Sequence, residues 1–186
     1  MKQIAFLTMG FAILLLSSCL GSDVKQVQGL KPVYGTVDDL TKMIKHSEVQ
    51  DLVSPGKIYV KDQLLLINES LKGVHIYDNS DPSNPINTGF IEIPGNLDVA
   101  MKGNLLYADY LNGLVTIDIS DIQNPVLKDF NSDYNSKDNG QLYPPSSATS
   151  LIGNSQVYFE CPDKTKGLII GWDVSNMPEP QCYLYK

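Results

Sequence analysis

The chain has 186 residues, with 14 Lys and Arg against 21 Asp and Glu, a formal charge of −7. That length suffices for one domain with a sizeable core. The acidic balance and the lack of any basic run exclude nucleic-acid binding through phosphate neutralisation. The 14 Gly and 11 Pro suit turn-rich β structure.

Residues 1–18 read as a targeting segment. Lys2 supplies the positive start, and residues 4–16 form an apolar run too short and too abruptly ended to span a bilayer. The run closes on Leu16-Ser17-Ser18-Cys19, which resembles a bacterial lipobox, where small residues precede a Cys that takes a diacylglyceryl group and becomes N-terminal after cleavage. The alternative is an ordinary secretory signal with a chance Cys. A diacylglyceryl thioether plus an N-acyl chain exceeds the two-signal minimum for stable anchoring. Losing Lys2 with the leader takes the formal charge from −7 to −8. Residues 19–30 then read as a lipidated Cys19 and a mostly polar tether. No acidic run follows Cys19, which points to the periplasmic face of the outer membrane, with the cell surface as the alternative.

Residues 31–55 form an extended and helical segment ahead of the repeats. Thr36 is an N-cap candidate, Asp38 and Asp39 sit in the first turn, and Lys42 and Lys45 lie towards the end. Val37, Leu40 and Ile44 share one face at helical spacing. One short helix is predicted, packed on a sheet or covering its edge.

Residues 56–186 read as β structure. Strands are predicted at 57–60, 64–68, 74–78 and 87–93, then at 98–102, 105–109, 114–119 and 126–130. After a polar insertion at 131–145 a third set follows at 148–151, 156–161, 168–174 and 182–185. The third-strand phrase recurs: Gly-Val-His-Ile-Tyr-Asp-Asn-Ser-Asp-Pro from Gly73, Gly-Leu-Val-Thr-Ile-Asp-Ile-Ser-Asp-Ile from Gly113, and a worn copy from Gly167. The third copy has one extra residue before Asp173, which suggests a bulge at Gly171. Four short strands per roughly 40 residues is the size of one propeller blade. The fold class is therefore all-β: a partial propeller-like array of about three four-stranded antiparallel units, with one short N-terminal helix.

The phrase Leu-Val-Thr-Ile-Asp-Ile-Ser-Asp at Leu114 and its partner at Val74 resemble the LVIVD repeat. Asp78, Ser80, Asp81, Pro82 and Pro85 fit the repeat in the first unit, and Asp118, Ser120, Asp121 and Pro125 in the second. Asp173, Ser175 and Pro180 fit in the third, where Asn176 replaces Asp. The resemblance implies an extracytoplasmic β-propeller of the kind found in bacterial lipoproteins, most of them without an assigned activity. Longer relatives carry further repeats.

The residues bear a structural reading of their own. The Asp and Ser groups of each copy accept or share backbone N–H bonds as the chain leaves a strand, and Pro85 and Pro125 stop further ladder pairing.

No catalytic set stands out, and no metal or cofactor is expected. His46 follows the helix, where it suits the C-terminal dipole, and His75 lies within a strand. Asp129, Asn131, Asp133 and Asn135 alternate as calcium-loop ligands do. However, Tyr134 stands where such a loop needs Gly, and Gly140 where it needs Glu.

With Cys19 lipidated, Cys161 and Cys182 remain as an even pair in an oxidising compartment. They are expected on the second and fourth strands of the third unit, usually about 9–10 Å apart and too far to bond without a bulge or edge position. A disulfide and two buried thiols both stay open. Tyr143, Tyr158, Trp172, Tyr183 and Tyr185 crowd the C-terminal third, as core or as an exposed aromatic edge.

Two functions from different classes follow. One is a non-catalytic interaction or scaffold module, anchored in the envelope membrane by lipid. Its open repeat ends would pair with further copies or a larger envelope protein. The other is a glycan- or peptide-processing enzyme or fragment, which would need His75 to converge with Asp98 or Asp109.

Overall fold

The computed structural model describes residues 24–111, 113–132 and 143–186. Strand β1 (Gln26–Gly35) leads into α1 (Val37–Met43) and the short β2 (Lys45–Ser47). The first unit supplies β3 (Pro55–Lys61), β4 (Leu64–Glu69), β5 (Gly73–Asp78) and β6 (Ile86–Glu92). The second supplies β7 (Val99–Lys102), β8 (Leu105–Tyr110), β9 (Gly113–Asp118) and β10 (Val126–Asn131). A single helical turn, α2 (Ser146–Thr149), precedes β11 (Gln156–Phe159), β12 (Leu168–Pro178) and β13 (Cys182–Tyr185). The chain is mostly β, in three sheets.

In the first two sheets the four strands of each unit form a meander, each hydrogen-bonded to the next in sequence, and β2 joins the first sheet outside β6. Their hairpins bend at Asp62 and Gly103, both at positive φ. The following turns place Leu71 and Leu111 at φ 69° and 50°, an unfavourable region for leucine. Two bonds hold the first of these turns: Leu71 N–H donates to the Asn96 carbonyl at 2.6 Å, and the Leu71 carbonyl accepts from Gly95 N–H at 2.9 Å. The alternating side chains of the two meanders meet in one core. Leu66, Val74, Ile76 and Ile91 of the first sheet and Leu106, Ala108, Val115 and Ile117 of the second are all buried in it.

Helix α1 joins this core. Thr36 and Asp39 form a reciprocal capping box, with Thr36 N–H donating to the Asp39 carboxylate at 3.0 Å and Asp39 N–H to Thr36 Oγ1 at 3.3 Å. Leu40 and Ile44 are buried among the strands, while Val37, predicted on the same face, is exposed. His46 is not a helix-end group. It lies in β2 opposite Ile91, with its ring so close over Gly89 that a Cβ there would fall 2.2 Å from Nε2.

The third sheet departs most from the repeat pattern. Its order is β12-β1-β11-β13. In the first two sheets the second and third strands pair directly. Here β1 lies between them, antiparallel to β12 and parallel to β11. Its register with β12 runs from Gln26 opposite Pro178 to Gly35 opposite Leu168, and the single irregularity leaves Ile170, next to the expected Gly171, without a partner. Residues 26–30 of the predicted tether are therefore strand, and Leu30 is fully buried. The β-domain thus takes in chain well before residue 56. The parallel ladder to β11 ends at Leu30 opposite Phe159, followed by Glu160 N–H donating to the Leu30 carbonyl at 2.9 Å. Pro32 follows at once, where the missing N–H interrupts no ladder.

The insertion of β1 moves three other elements from their predicted places. β13 pairs with β11, Phe159 opposite Cys182, so no strand separates the cysteines. They are bonded, with Cα atoms 5.3 Å apart and a sequence separation of 21. A loop of that size contributes on the order of 3 kcal/mol. The third copy of the Asp-Ser motif does not turn: Asp173 and Ser175 lie inside β12, opposite Lys31 and Gly29. Residues 148–151, predicted as a strand, contain the end of α2, whose Ala148 covers a second core with Leu30, Ile152, Val157, Phe159 and Trp172.

Gly29 permits the insertion, because a Cβ at this position would lie 2.6 Å from the Tyr158 carbonyl oxygen. Gly29→Ala should lower stability by about 1–3 kcal/mol in non-reducing denaturant titrations. Gly153→Ala, with nothing within 4 Å of its added methyl group, should change little.

Candidate interaction surface

The residues of interest fall into several groups. The first contains the repeat turns. Asp78 accepts from Ser80 N–H at 2.9 Å and from its hydroxyl at 2.5 Å, and Asp81 accepts from Ser83 N–H at 3.0 Å and its hydroxyl at 2.7 Å. Asp118 accepts from Ser120 N–H at 3.0 Å and from the Ser120 hydroxyl. Asp121 accepts from Gln123 N–H at 3.0 Å and from the Asn124 amide at 2.8 Å. These bonds favour the charged forms, so the serine hydroxyls and N–H groups hold Asp78, Asp81 and Asp118 below the usual carboxylate range, and the Asn124 side chain leads the same effect at Asp121. Each carboxylate is occupied with its own turn.

Residues 96–131 match the model of the LVIVD repeat. The matched stretch spans the whole second sheet, β7 to β10, and its LVIVD strand is β9. The first unit has the same strand order, with β5 in the place of β9 and paired turns at Asp78 and Asp81. No curated protein and no solved structure matches the chain.

The second group surrounds His75, which is fully buried. Its Nε2 lies 3.2 Å from Glu69 Oε2, and its ring meets Phe90 edge-on at 4.8 Å. Nδ1 has no partner among the described residues. Glu69, unremarked in the sequence, also accepts from Val53 N–H at 3.0 Å and Ser54 N–H at 2.6 Å. Burial opposes its ionisation, but the N–H groups of Val53 and Ser54, with His75, outweigh that and hold the carboxyl below its ordinary range. The available signal was an acid ending an apolar strand, six residues before a histidine in the next.

Asp98 and Asp109 lie elsewhere. Asp109 accepts from Leu97 N–H at 2.8 Å, Asp98 N–H at 2.7 Å and the Asn96 amide at 2.8 Å. Lys57 pairs with Asp98 at 2.6 Å. Lys57, Asp98 and Asp109 line a cleft of about 390 Å³ whose lining does not include His75. The structure does not bring the histidine and these aspartates into one pocket. Among the described residues no cluster of His, Cys, Asp and Glu could hold a metal. Asp129 and Asn131 belong to β10, while Asp133, Tyr134, Asn135 and Gly140 of the calcium-like pattern lie outside the described residues. No described helix is long and apolar enough to cross a membrane.

The third group is apolar and open. In β3, Tyr59 packs against the shared core, while Ile58 and Val60 point away and are 65% and 58% exposed. The register sets Ile58 beside Ile67, then His75 and then Phe90. One row across the first sheet thus passes from solvent to full burial. Residues 48–54 are pinned at its buried end, through Glu69 and through the Gln50 carbonyl, which accepts from Asn87 at 3.3 Å. Val49, Leu52 and Val53 of that segment are exposed too. Five large aliphatic side chains thus extend the apolar character of this face. On the third sheet, Tyr183 and Tyr185 are also exposed.

Glu69 gives this region a pH dependence. Its lowered folded pKa means that its contribution is full above the unfolded carboxyl value, about 4.3, and is lost as pH falls through the folded value. Glu69→Gln should cost about 2–3 kcal/mol at neutral pH. It should also flatten the loss of stability below roughly pH 4.3. Denaturant titrations between neutral and acidic pH measure both effects.

Proposed function

We propose that this chain is a non-catalytic β-repeat module, held at the bacterial cell envelope by lipid on Cys19, that works by docking protein through an open sheet face. The observation that carries the docking is the asymmetry of the first sheet. One face is sealed against the second sheet, while the other carries Ile58 and Val60 in solvent. A repeat unit needs a neighbour on each face to bury its apolar surface. A further copy of the chain or a larger envelope protein would supply that neighbour. The envelope address rests on the order of positive charge, apolar run, small residues and Cys in residues 1–19. The outer membrane is the membrane that the residues after Cys19 favour.

Two measurements test the reading. Cys19→Ser should move the protein from the membrane pellet to the soluble fraction after lysis and abolish incorporation of labelled fatty acid. Unchanged pelleting without label would remove the anchor. Light scattering under non-reducing conditions on the leaderless Cys19→Ser protein should give a dimer or larger species if copies close the face. If a larger envelope protein closes it, a monomer should retain that protein in crosslinking. Ile58→Lys with Val60→Lys should weaken either association by at least about tenfold, from the apolar area lost, with little effect on folding because both side chains are already exposed. A strict monomer that crosslinks to nothing would overturn the docking function.

A further inference from the structure

The third sheet brings the chain's entry point to the same end as its exposed tyrosines. β1 starts at Gln26, opposite Pro178 at the end of β12. β1 runs parallel to β11, Gly29 level with Tyr158, and β11 starts at Gln156, opposite Tyr185 at the end of β13. A continuous line of contacts crosses this end. Lys25 pairs with Glu179 at 3.0 Å, and Glu179 accepts from the Tyr158 hydroxyl at 2.5 Å. The Tyr158 ring stacks edge-on with Tyr183 at 6.2 Å, and Tyr183 with Tyr185 at 5.7 Å. Leu184 and Cys182 turn inward to the second core, so Tyr183 and Tyr185 point outward, 49% and 69% exposed. Val24, the first described residue, is exposed beside Lys25.

Val24 stands five residues after Cys19. A chain covers at most about 3.6 Å per residue, so Val24 lies within roughly 18 Å of that cysteine. Strand β1 takes up residues that a free tether would otherwise have used, which leaves the domain little room to stand off. Tyrosine, with an apolar ring and a polar tip, concentrates at the membrane–water boundary. Although the chain is acidic overall, Glu179 at this end is matched by Lys25.

We infer that this end of the third sheet rests on the phospholipid bilayer, with Tyr183 and Tyr185 seated among the headgroups. The inference rests on the lipid-anchor reading of Cys19 and adds a defined orientation: the tyrosine end faces the membrane.

The test uses the full mature lipoprotein in vesicles of phosphatidylethanolamine and phosphatidylglycerol. With Cys19 lipidated and Cys161 bonded to Cys182, Tyr185→Cys or Ile58→Cys provides a single thiol for an environment-sensitive fluorophore. At position 185 the emission should shift to the blue, headgroup-depth nitroxide lipids should quench it, and quenching by aqueous iodide should fall about threefold or more, as for a group at the interface. At position 58 nitroxide lipids should leave the emission unchanged. A lipidated protein whose label at 185 remains as open to iodide on vesicles as in the Cys19→Ser protein in solution would overturn the inference alone. Protection from iodide without nitroxide quenching would assign the tyrosines to a protein contact and would also overturn it. If mass spectrometry of the N-terminal peptide finds no lipid on Cys19, the anchor and the inference fall together.

Discussion

The pairing of β1 with β12 is the constraint on which the rest of the third sheet depends. Because β1 occupies the place beside β11 that β12 would have taken in a simple hairpin, β12 is pushed to the edge and β13 is left the free side of β11. The cysteines thereby become neighbours, and Tyr183 and Tyr185 come to stand on an outer strand. The same strand ties the molecule together. Leu30 is buried in the second core, and ten residues later Leu40 is buried in the first. The capping box of Thr36 and Asp39 at the start of α1 closes the turn between them. Tyr110 adds a cross-tie from the other side, its hydroxyl donating to the Ile170 carbonyl of β12 at 2.9 Å.

The first two units were legible in the sequence because their strands pair with their sequence neighbours. Alternation, turn residues and the forty-residue echo of Gly73 at Gly113 are all local signals, and local pairing obeys them. The third unit was not legible to the same degree. Residues 26–30, Gln-Val-Gln-Gly-Leu, resemble a tether, and nothing nearby marks them as a strand because their partner in β12 lies 144 to 152 residues on. Once that partner is in place, the Asp173-Ser175 phrase is held extended by a long ladder, and its turn tendency loses to the bonds along β12. The distance argument that weighed against bonding Cys161 to Cys182 was sound geometry applied to the wrong strand order.

The site residues divide in the same way. The Asp–Ser turns could be read from spacing because the bonds span two residues. Glu69 and His75 could not be paired from sequence alone, since the carboxylate's role depends on Val53 and Ser54 crossing back to it. The open face of the first sheet was hidden for a different reason. Ile58, Val60 and Leu66 are equally apolar letters, and only the fold decides which of them meets the second sheet.

The β1 ladder also determines how the protein bears load. Tension applied through the N-terminus enters at Gln26 and runs along the strand axis. The bonds to β12 lie across that axis, so they are strained together in shear and not peeled singly from one end. The Cys161–Cys182 bond then carries the force across β11 to the last strand. Pulled from its N-terminal side, the molecule is gripped first by its C-terminal unit, and the two meanders with the shared core are shielded until that grip gives way.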